Sequence, residues 1–271
     1  MSAKPIRLAT WNINSVRLRI ESVAQFVAEQ GIDILCLQEI KCHDGEFPAA
    51  AFAEMGLPHL AVKGQKGWHG VAIASRLPLE RIEPPEACRE GHARVVGVRV
   101  AGFELHNFYI PAGGDEPDRA INPKFDHKLD FLERMRADYA RRSPDEKLML
   151  VGDFNVAPGE YDVWSHKQML KVVSHTPVEV EALRGVQASL DFTDLVREAV
   201  PEPTKLFSWW SYRAADFRKS NRGLRLDHIW ASPALAPACR REGRSTAVTH
   251  DAVRGWDRPS DHAPVSIDLQ P

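Results

Sequence analysis

Six positions along the chain set an amide, a carboxylate, a phenol or an imidazole against a short apolar run. Asn12 follows Leu8-Ala9-Thr10-Trp11, Glu39 follows Ile34-Leu35-Cys36-Leu37-Gln38, and Tyr109 ends the run that begins at Phe103. Asp153 and Asn155 follow Leu148-Met149-Leu150-Val151, Asp227 lies in the run that begins at Leu226, and Asp261-His262 opens the last one. Strand ends are where layered folds present chemistry, so this repeated placement suggests one site assembled from distant segments. Most of the donors are oxygens. Such a set suits Mg²⁺, with Mn²⁺ as a substitute, better than Zn²⁺, which takes more His and Cys, and it points to a phosphate substrate.

Each group also has a plainer reading. Glu39 is the leading metal candidate, yet a carboxylate two residues from Lys41 can simply pair with it at the surface. Its position directly after a buried strand argues for the metal. Asp153 and Asn155, two apart, can point the same way from extended backbone, one to orient a water and one to hold a phosphate oxygen. The same two residues also suit an Asx-turn that closes a strand. Asp227 can hold His262 by a ring N–H, fixing its tautomer and favouring the protonated form. His262 is then an electrophile, with general base as the other possibility. Residues 205–228 carry six Lys/Arg, Arg213 and Arg222 among them, against two Asp, interleaved with Phe207, Trp209, Trp210, Tyr212 and Phe217. Basic groups between aromatic faces can track a phosphate backbone and receive an extruded sugar or base; a core Trp pair beside a solvated loop is the alternative.

The elements that must position these groups read as α/β. A strand over 6–11 precedes a helix with apolar positions Ile20, Val23, Ala24 and Val27, for which Asn14-Ser15 offers the N-cap and Gly31 the stop. A buried strand over 33–38 completes a strand-helix-strand unit. Strands over 59–62, 70–75, 94–100 and 103–109, punctuated by Gly and Pro, suggest antiparallel pairing. Phe125, Leu129, Leu132, Met135 and Tyr139 mark one face of a long helix. No low-complexity linker divides the chain, so residues 1–271 read as one domain built on two sheets.

With 44% hydrophobic and 27% charged residues, the composition excludes a disordered or fibrous chain. The net charge of −2 gives no bulk-charge argument for nucleic acid and leaves that argument to the local basic segment. The first fifteen residues contain no apolar signal core, and no run approaches 18 apolar residues. Cys36, Cys42, Cys88 and Cys239 lack the close spacing of zinc sites. The reading is therefore a cytoplasmic protein with free thiols and no membrane partner.

Taken in order, Thr10-Trp11-Asn12-Ile13-Asn14, Leu37-Gln38-Glu39-Ile40-Lys41, Gly152-Asp153-Phe154-Asn155-Val156, the stretch from Asn221 through Arg222, Leu224 and Leu226 to Asp227, and Ser260-Asp261-His262 resemble the exonuclease III family of abasic-site endonucleases, within the endonuclease/exonuclease/phosphatase superfamily. The resemblance implies a four-layer α/β sandwich of two packed mixed sheets flanked by helices. It also implies a monomeric Mg²⁺-dependent phosphodiesterase acting on double-stranded DNA with abasic sites or damaged 3′ ends. By the same resemblance Glu39 is the principal metal ligand, Asn12 and Asp261 lie in the metal shell, and Asp153 with Asn155 places the attacking water, Asp153 being the candidate general base. Tyr109 sits near the scissile phosphate, His262 held by Asp227 stabilises the growing charge, and Trp209, Leu224 and Leu226 line a pocket for a base-free sugar. Two departures are noted: Asn14 stands where the mammalian branch has Asp, and Ala112 where many relatives place an amide. A sphingomyelinase-like or inositol-phosphate phosphodiesterase, or a catalytically silent nucleic-acid-binding module, are the competing readings.

Overall fold

The computed structural model describes residues 4–213 and 216–270; the first three residues, two alanines of the basic aromatic segment and the final proline lie outside it. The chain opens with strand β1 (Ile6–Asn12), helix α1 (Ile20–Gln30) and strand β2 (Ile34–Gln38), and β1 and β2 pair in parallel, as a strand-helix-strand unit requires. Helix α2 (Ala49–Glu54) then leads to β3 (His59–Lys63) and β4 (Val71–Ser75). The first sheet runs Val248–Thr249, Val265–Leu269, β1, β2, β4, β3, with every pair except β1 and β2 antiparallel.

The second sheet repeats this mixed plan. Strands β5 (Glu80–Ile82), β6 (Val95–Val100), β7 (Phe103–Tyr109) and β8 (Leu148–Asp153) are followed across the sheet by Asp227–Ala231 and Thr193–Asp194. Helix α3 (Pro123–Tyr139) forms the crossover that lets β7 and β8 run parallel. It starts where Asn122 accepts the Lys124 N–H, ahead of Pro123.

Alternation of side chains along the strands builds the layers. Leu8, Cys36 and Ile73 of the first sheet meet Val98, Leu105, Met149, Val151 and Ile229 of the second in a buried central layer. Ala9, Trp11, Leu35 and Leu37 face outward onto Val23, Phe26 and Val27 of α1. Phe108 and Leu150 face outward onto Phe131, Leu132 and Met135 of α3. The result is helix, sheet, sheet, helix: a four-layer α/β sandwich. Among the described residues no helix is long and apolar enough to cross a membrane, and the four cysteines are free.

One expectation fails. Helix α1 begins at Ile20, and neither Asn14 nor Ser15 caps it. Both have positive φ, 47° and 87°, and the backbone N–H groups of Ser15 and Val16 bond to Glu39 and Ile40 instead. The stretch after β1 is therefore bound to the stretch after β2, which positions Glu39 against Asn12 before any helix starts.

A closed ionic network sits behind the strand ends. Buried Arg225 donates to both oxygens of Asp162 (2.7 and 2.9 Å) and to Asp194 (2.7 Å), while Arg197 also donates to Asp162. Burial disfavours the charge on Asp162, but Arg225 and Arg197 prevail and hold its pKa down to about 2; Asp194 is lowered in the same way, chiefly by Arg225.

Candidate active site

The parity that builds the central layer also aims the polar groups. Asn12 shares the face of Leu8, Gln38 that of Cys36, Tyr109 that of Leu105, Asp153 that of Val151 and Asp227 that of Ile229. Where the apolar run stops, these positions continue the same stripe with groups that carry chemistry. Register brings them level: Asn12 pairs with Gln38, and Asp153 lies between Tyr109 and Asp227. Glu39 falls one residue past β2 and out of step, and its left-handed backbone (φ 51°) turns it back into the group. Gly152 permits the close approach of β8 to β7. A Cβ there would lie 2.0 Å from the Phe108 carbonyl oxygen.

The side chains form a connected set. Asn12 Nδ2 donates to Glu39 Oε1 (3.0 Å) and Asp153 Oδ2 (2.9 Å), and the Tyr109 hydroxyl donates to Glu39 Oε1 (2.8 Å). Asn155 Nδ2 donates to Asp153 Oδ2 (3.1 Å) and to the Ile110 carbonyl (2.9 Å). The hydrogen-bonded contact of His262 Nδ1 with Asp227 Oδ2 is 2.8 Å, and its Nε2 lies 3.7 Å from Asp153 Oδ2. Ser208 fixes Asp227 by donating to the same Oδ2 (2.6 Å), which leaves the buried Oδ1 without a partner.

Charge is unbalanced here. Among the described residues, the ion-pair partners of Glu39, Asp153, Asp227 and Asp261 are Lys41 and His262 alone. Burial pushes the Asp153 carboxyl up to about 7, with Asp227 and Glu39 adding to the rise against the opposing charge of His262. Burial disfavours the charged His262 ring, but Asp227, Asp153 and Asp261 outweigh it and push its pKa up to about 10. Burial and the neighbouring Glu39 and Asp153 keep Tyr109 a neutral donor. An excess of carboxylate, a buried oxygen without a partner and an all-oxygen set from Glu39 and Asp153 fit a hard divalent cation. The protonated His262 does not fit as a ligand, although Asp153, Asp227 and His262 lie close enough to form a metal-binding triplet.

These groups open into a cavity of about 530 Å³ walled by Trp164, Met169, Trp209, Leu224 and Leu226. Trp209 and Leu224 face each other across a two-residue antiparallel ribbon, and Trp209 Nε1 donates to Asp261 Oδ2 (3.0 Å). The Arg222 guanidinium stacks over the Trp164 ring at 4.6 Å and lines the entrance. The site thus joins an acidic centre, able to bind a cation and move a proton, to an aromatic recess with a cationic edge.

Residues 9–262 match the model of the Endonuclease/Exonuclease/phosphatase family. Exodeoxyribonuclease III of Haemophilus influenzae is 29% identical over 96% of this chain and 98% of its own length. DNA repair nuclease APEX1 of Danio rerio is 29% identical over 98% of this chain and 83% of its own. Among solved structures, an AP endonuclease from Archaeoglobus fulgidus has a TM-score of 0.89 at 29% identity, covering 98% of this chain and 100% of its own. The 3′-5′ exonuclease NExo from Neisseria meningitidis has a TM-score of 0.85 at 33% identity, covering 98% and 100%. The chain belongs to the exonuclease III family. It is accordingly an enzyme of the nuclease class.

In this exonuclease III-family chain the structure brings Asn12, Glu39, Tyr109, Asp153, Asn155, Asp227 and His262 together and sets Trp209, Arg222, Leu224, Leu226 and Asp261 on the cavity around them. Arg213 is exposed and lies outside that wall. Several expectations change in detail. Asn12 gives its N–H to the carboxylates and its oxygen to the Asn14 amide, so it bridges Glu39 and Asp153 rather than offering them oxygen. Asp153 and Asn155 do not extend in parallel: Asn155 has φ 53° and donates its backbone N–H to Asp153 Oδ1, so the Asx-turn and the shared site are one structure. The Glu39–Lys41 pair also exists, at 2.9 Å, within the site.

Three groups escaped sequence reasoning. Trp164 lies 58 residues from Arg222 in sequence and meets it only in the fold. Buried Lys128, on α3, is neutralised by Glu179 and donates to the Asn155 carbonyl (2.7 Å), holding that turn from behind. Asn107 links the sheets, donating to the carbonyls of Leu37 and Ala72 and accepting from Gln38. The polar interruptions of apolar runs at Asn107 and Gln38 were the available signal.

Proposed function

We propose that this chain is a Mg²⁺-dependent DNA-repair nuclease, with residues 1–271 as one catalytic unit, that cleaves the phosphodiester 5′ to an abasic site in duplex DNA and trims damaged 3′ ends. The observation that carries the reading is the direct opening of the over-acidic centre into the Trp164–Trp209 recess. A nucleotide without its base costs less to extrude, and a recess of apolar and aromatic walls accepts the bare sugar. The relatives support the choice of substrate, one being a DNA repair nuclease and another an AP endonuclease. A further solved relative, 32% identical, is a Neisseria 3′ phosphatase bound to a product DNA hairpin.

Glu39 would hold the ion, with Asn12, Asp153, Asn155 and Asp261 completing its surroundings. When bound, Mg²⁺ supplies Lewis-acid charge to a phosphate oxygen. Asp153, raised towards neutrality and steadied by Asn12 and Asn155, accepts the proton of the attacking water. His262 is charged throughout the neutral range and so serves as a donor to the phosphate oxygens rather than a base, with Asp227 fixing its ring. Tyr109, neutral and donating its one hydroxyl proton to Glu39, holds that carboxylate in place beside the scissile phosphate. Arg222 and Arg213 meet the flanking phosphates.

The same reading has the enzyme work as a cytoplasmic monomer, for which four free thiols are the supporting observation on the compartment and gel filtration is the check on the state. The deciding experiment is incision of a duplex carrying one abasic site. Wild-type protein with Mg²⁺ is expected to nick on the 5′ side, chelator to abolish the nick and Asp153→Asn to suppress it by on the order of 10³-fold. Cleavage persisting in Asp153→Asn removes that residue from its role, and a silent wild type favours a binding module.

A further inference from the structure

A second group of ligating side chains lies outside the cavity, where the loop between β5 and β6 crosses α3. Glu90 and His92 come from the loop and buried His127 from the first turns of the helix; one ligand atom of each lies within 4.8 Å of the others. Glu90 Oε1 is 3.4 Å from His127 Nδ1, and Glu90 Oε2 is 3.4 Å from His92 Nδ1. Both distances are long for a hydrogen bond. Each imidazole faces a different oxygen of the one carboxylate, so Glu90 lies between the two rings with the three ligand atoms within 4.8 Å of one another.

Two independent observations point the same way. The Nδ1 of His92 is buried and has no hydrogen-bond partner. The other nitrogen of His127, Nε2, faces Cys88 Sγ at 3.5 Å, so the ring is oriented with its Nδ1 towards Glu90 and His92, as an outer partner orients a metal-bound imidazole. The loop is already strapped to the helix by the Arg89–Asp126 ion pair at 2.7 Å, so the three groups are held in place without an ion.

We propose that Glu90, His92 and His127 form a second metal site, distinct from the nuclease centre, selective for a transition ion of the Zn²⁺ class. Two imidazoles and one carboxylate favour such an ion over Mg²⁺, and three protein ligands leave a position for water. The site has a structural route to the catalytic centre. The His92 ring stacks on His69 at 4.5 Å, His69 Nε2 contacts Arg94 at 2.8 Å, and Arg94 donates to the Tyr109 carbonyl at 3.1 Å with its guanidinium over the phenol. An ion that fixes His92 therefore braces the wall that carries Tyr109.

The test uses the Glu39→Gln/Asp153→Asn protein, so that the nuclease carboxylates are gone, titrated with Co²⁺ in excess Mg²⁺. One equivalent of Co²⁺ with visible d–d absorption, displaced by Zn²⁺, is expected. His92→Gln, at a partly exposed position, and His127→Ala should each weaken binding about 100-fold, and Cys88→Ala about tenfold through ring orientation. His92→Gln in the otherwise native enzyme should leave Mg²⁺-supported incision of an abasic duplex within about twofold when no Zn²⁺ is added. No Co²⁺ bound in excess Mg²⁺, or one equivalent retained in both His variants, overturns the second site and leaves the nuclease reading intact.

Discussion

Two buried charge clusters lie two residues apart on the same segment and are built to opposite ends. At Arg225, two carboxylates meet two guanidiniums with short, nearly saturated hydrogen bonds. At Asp227, four carboxylates have Lys41 and His262 as their ion-pair partners among the described residues, and one buried oxygen has no partner. The first network is charge-balanced as folded, and its acids are held below their ordinary range. The second is incomplete, and its central acid is pushed above that range. A depressed acid records stability gained in the fold; a raised acid records stability given up for reactivity.

The sharpest contrast should come from neutralising the central acid. Asp153→Asn is expected to lower the rate of abasic-duplex incision by on the order of 10³-fold, while its urea midpoint stays the same or rises because a buried repulsion is relieved. A large fall in the midpoint would erase the distinction between the clusters. Arg225→Met should do the reverse and destabilise the protein by about 3–5 kcal/mol, read from urea unfolding, because it leaves Asp162 and Asp194 buried without their main partner.

Mg²⁺ offers a subtler probe. At about 100 times its Kd it should stabilise the wild type by about 2.7 kcal/mol, seen as a raised Tm, and Glu39→Gln should lose most of that gain. Equal stabilisation of the variant would remove Glu39 from the ion. The pH profile of stability completes the series. The folded pKa of Asp162 lies below its unfolded value, so its contribution is fully present above about pH 4 and is lost as pH falls through about 2. Stability should decline on the order of 2 kcal/mol across that window, and Arg225→Met should flatten the decline.

Much of the centre was legible because it is written at strand ends. A buried strand is a short apolar run, and the residue that breaks the run in phase with its inward face must point into the same layer. Asn12, Tyr109, Asp153 and Asp227 follow that rule. Glu39 and Asn155 do not, since each relies on left-handed backbone that no periodicity encodes. The same blindness misplaced the start of α1, whose apparent cap residues are spent on the strand exit. Pairings such as Arg222 with Trp164, Lys128 with Glu179 and His127 with Glu90 join residues 37 or more apart, and nothing local marks them. Arg225 counts among the basic residues of 205–228 in the sequence, yet the fold buries it completely among acids.

Strand β1 lies between β2 and Val265–Leu269, with Trp11 Nε1 donating to the His262 carbonyl at 3.1 Å, so one of its edges is covered by a segment made about 250 residues later. The opening strand must wait for nearly the whole polypeptide to be synthesised before its second edge is covered, a contact of extreme sequence separation and hence slow to form. Carboxylates from the earlier segments are made long before the imidazole that faces them. A nascent chain halted before residue 260 would contain the acids of the centre but lack His262, the one group that faces both Asp227 and Asp153.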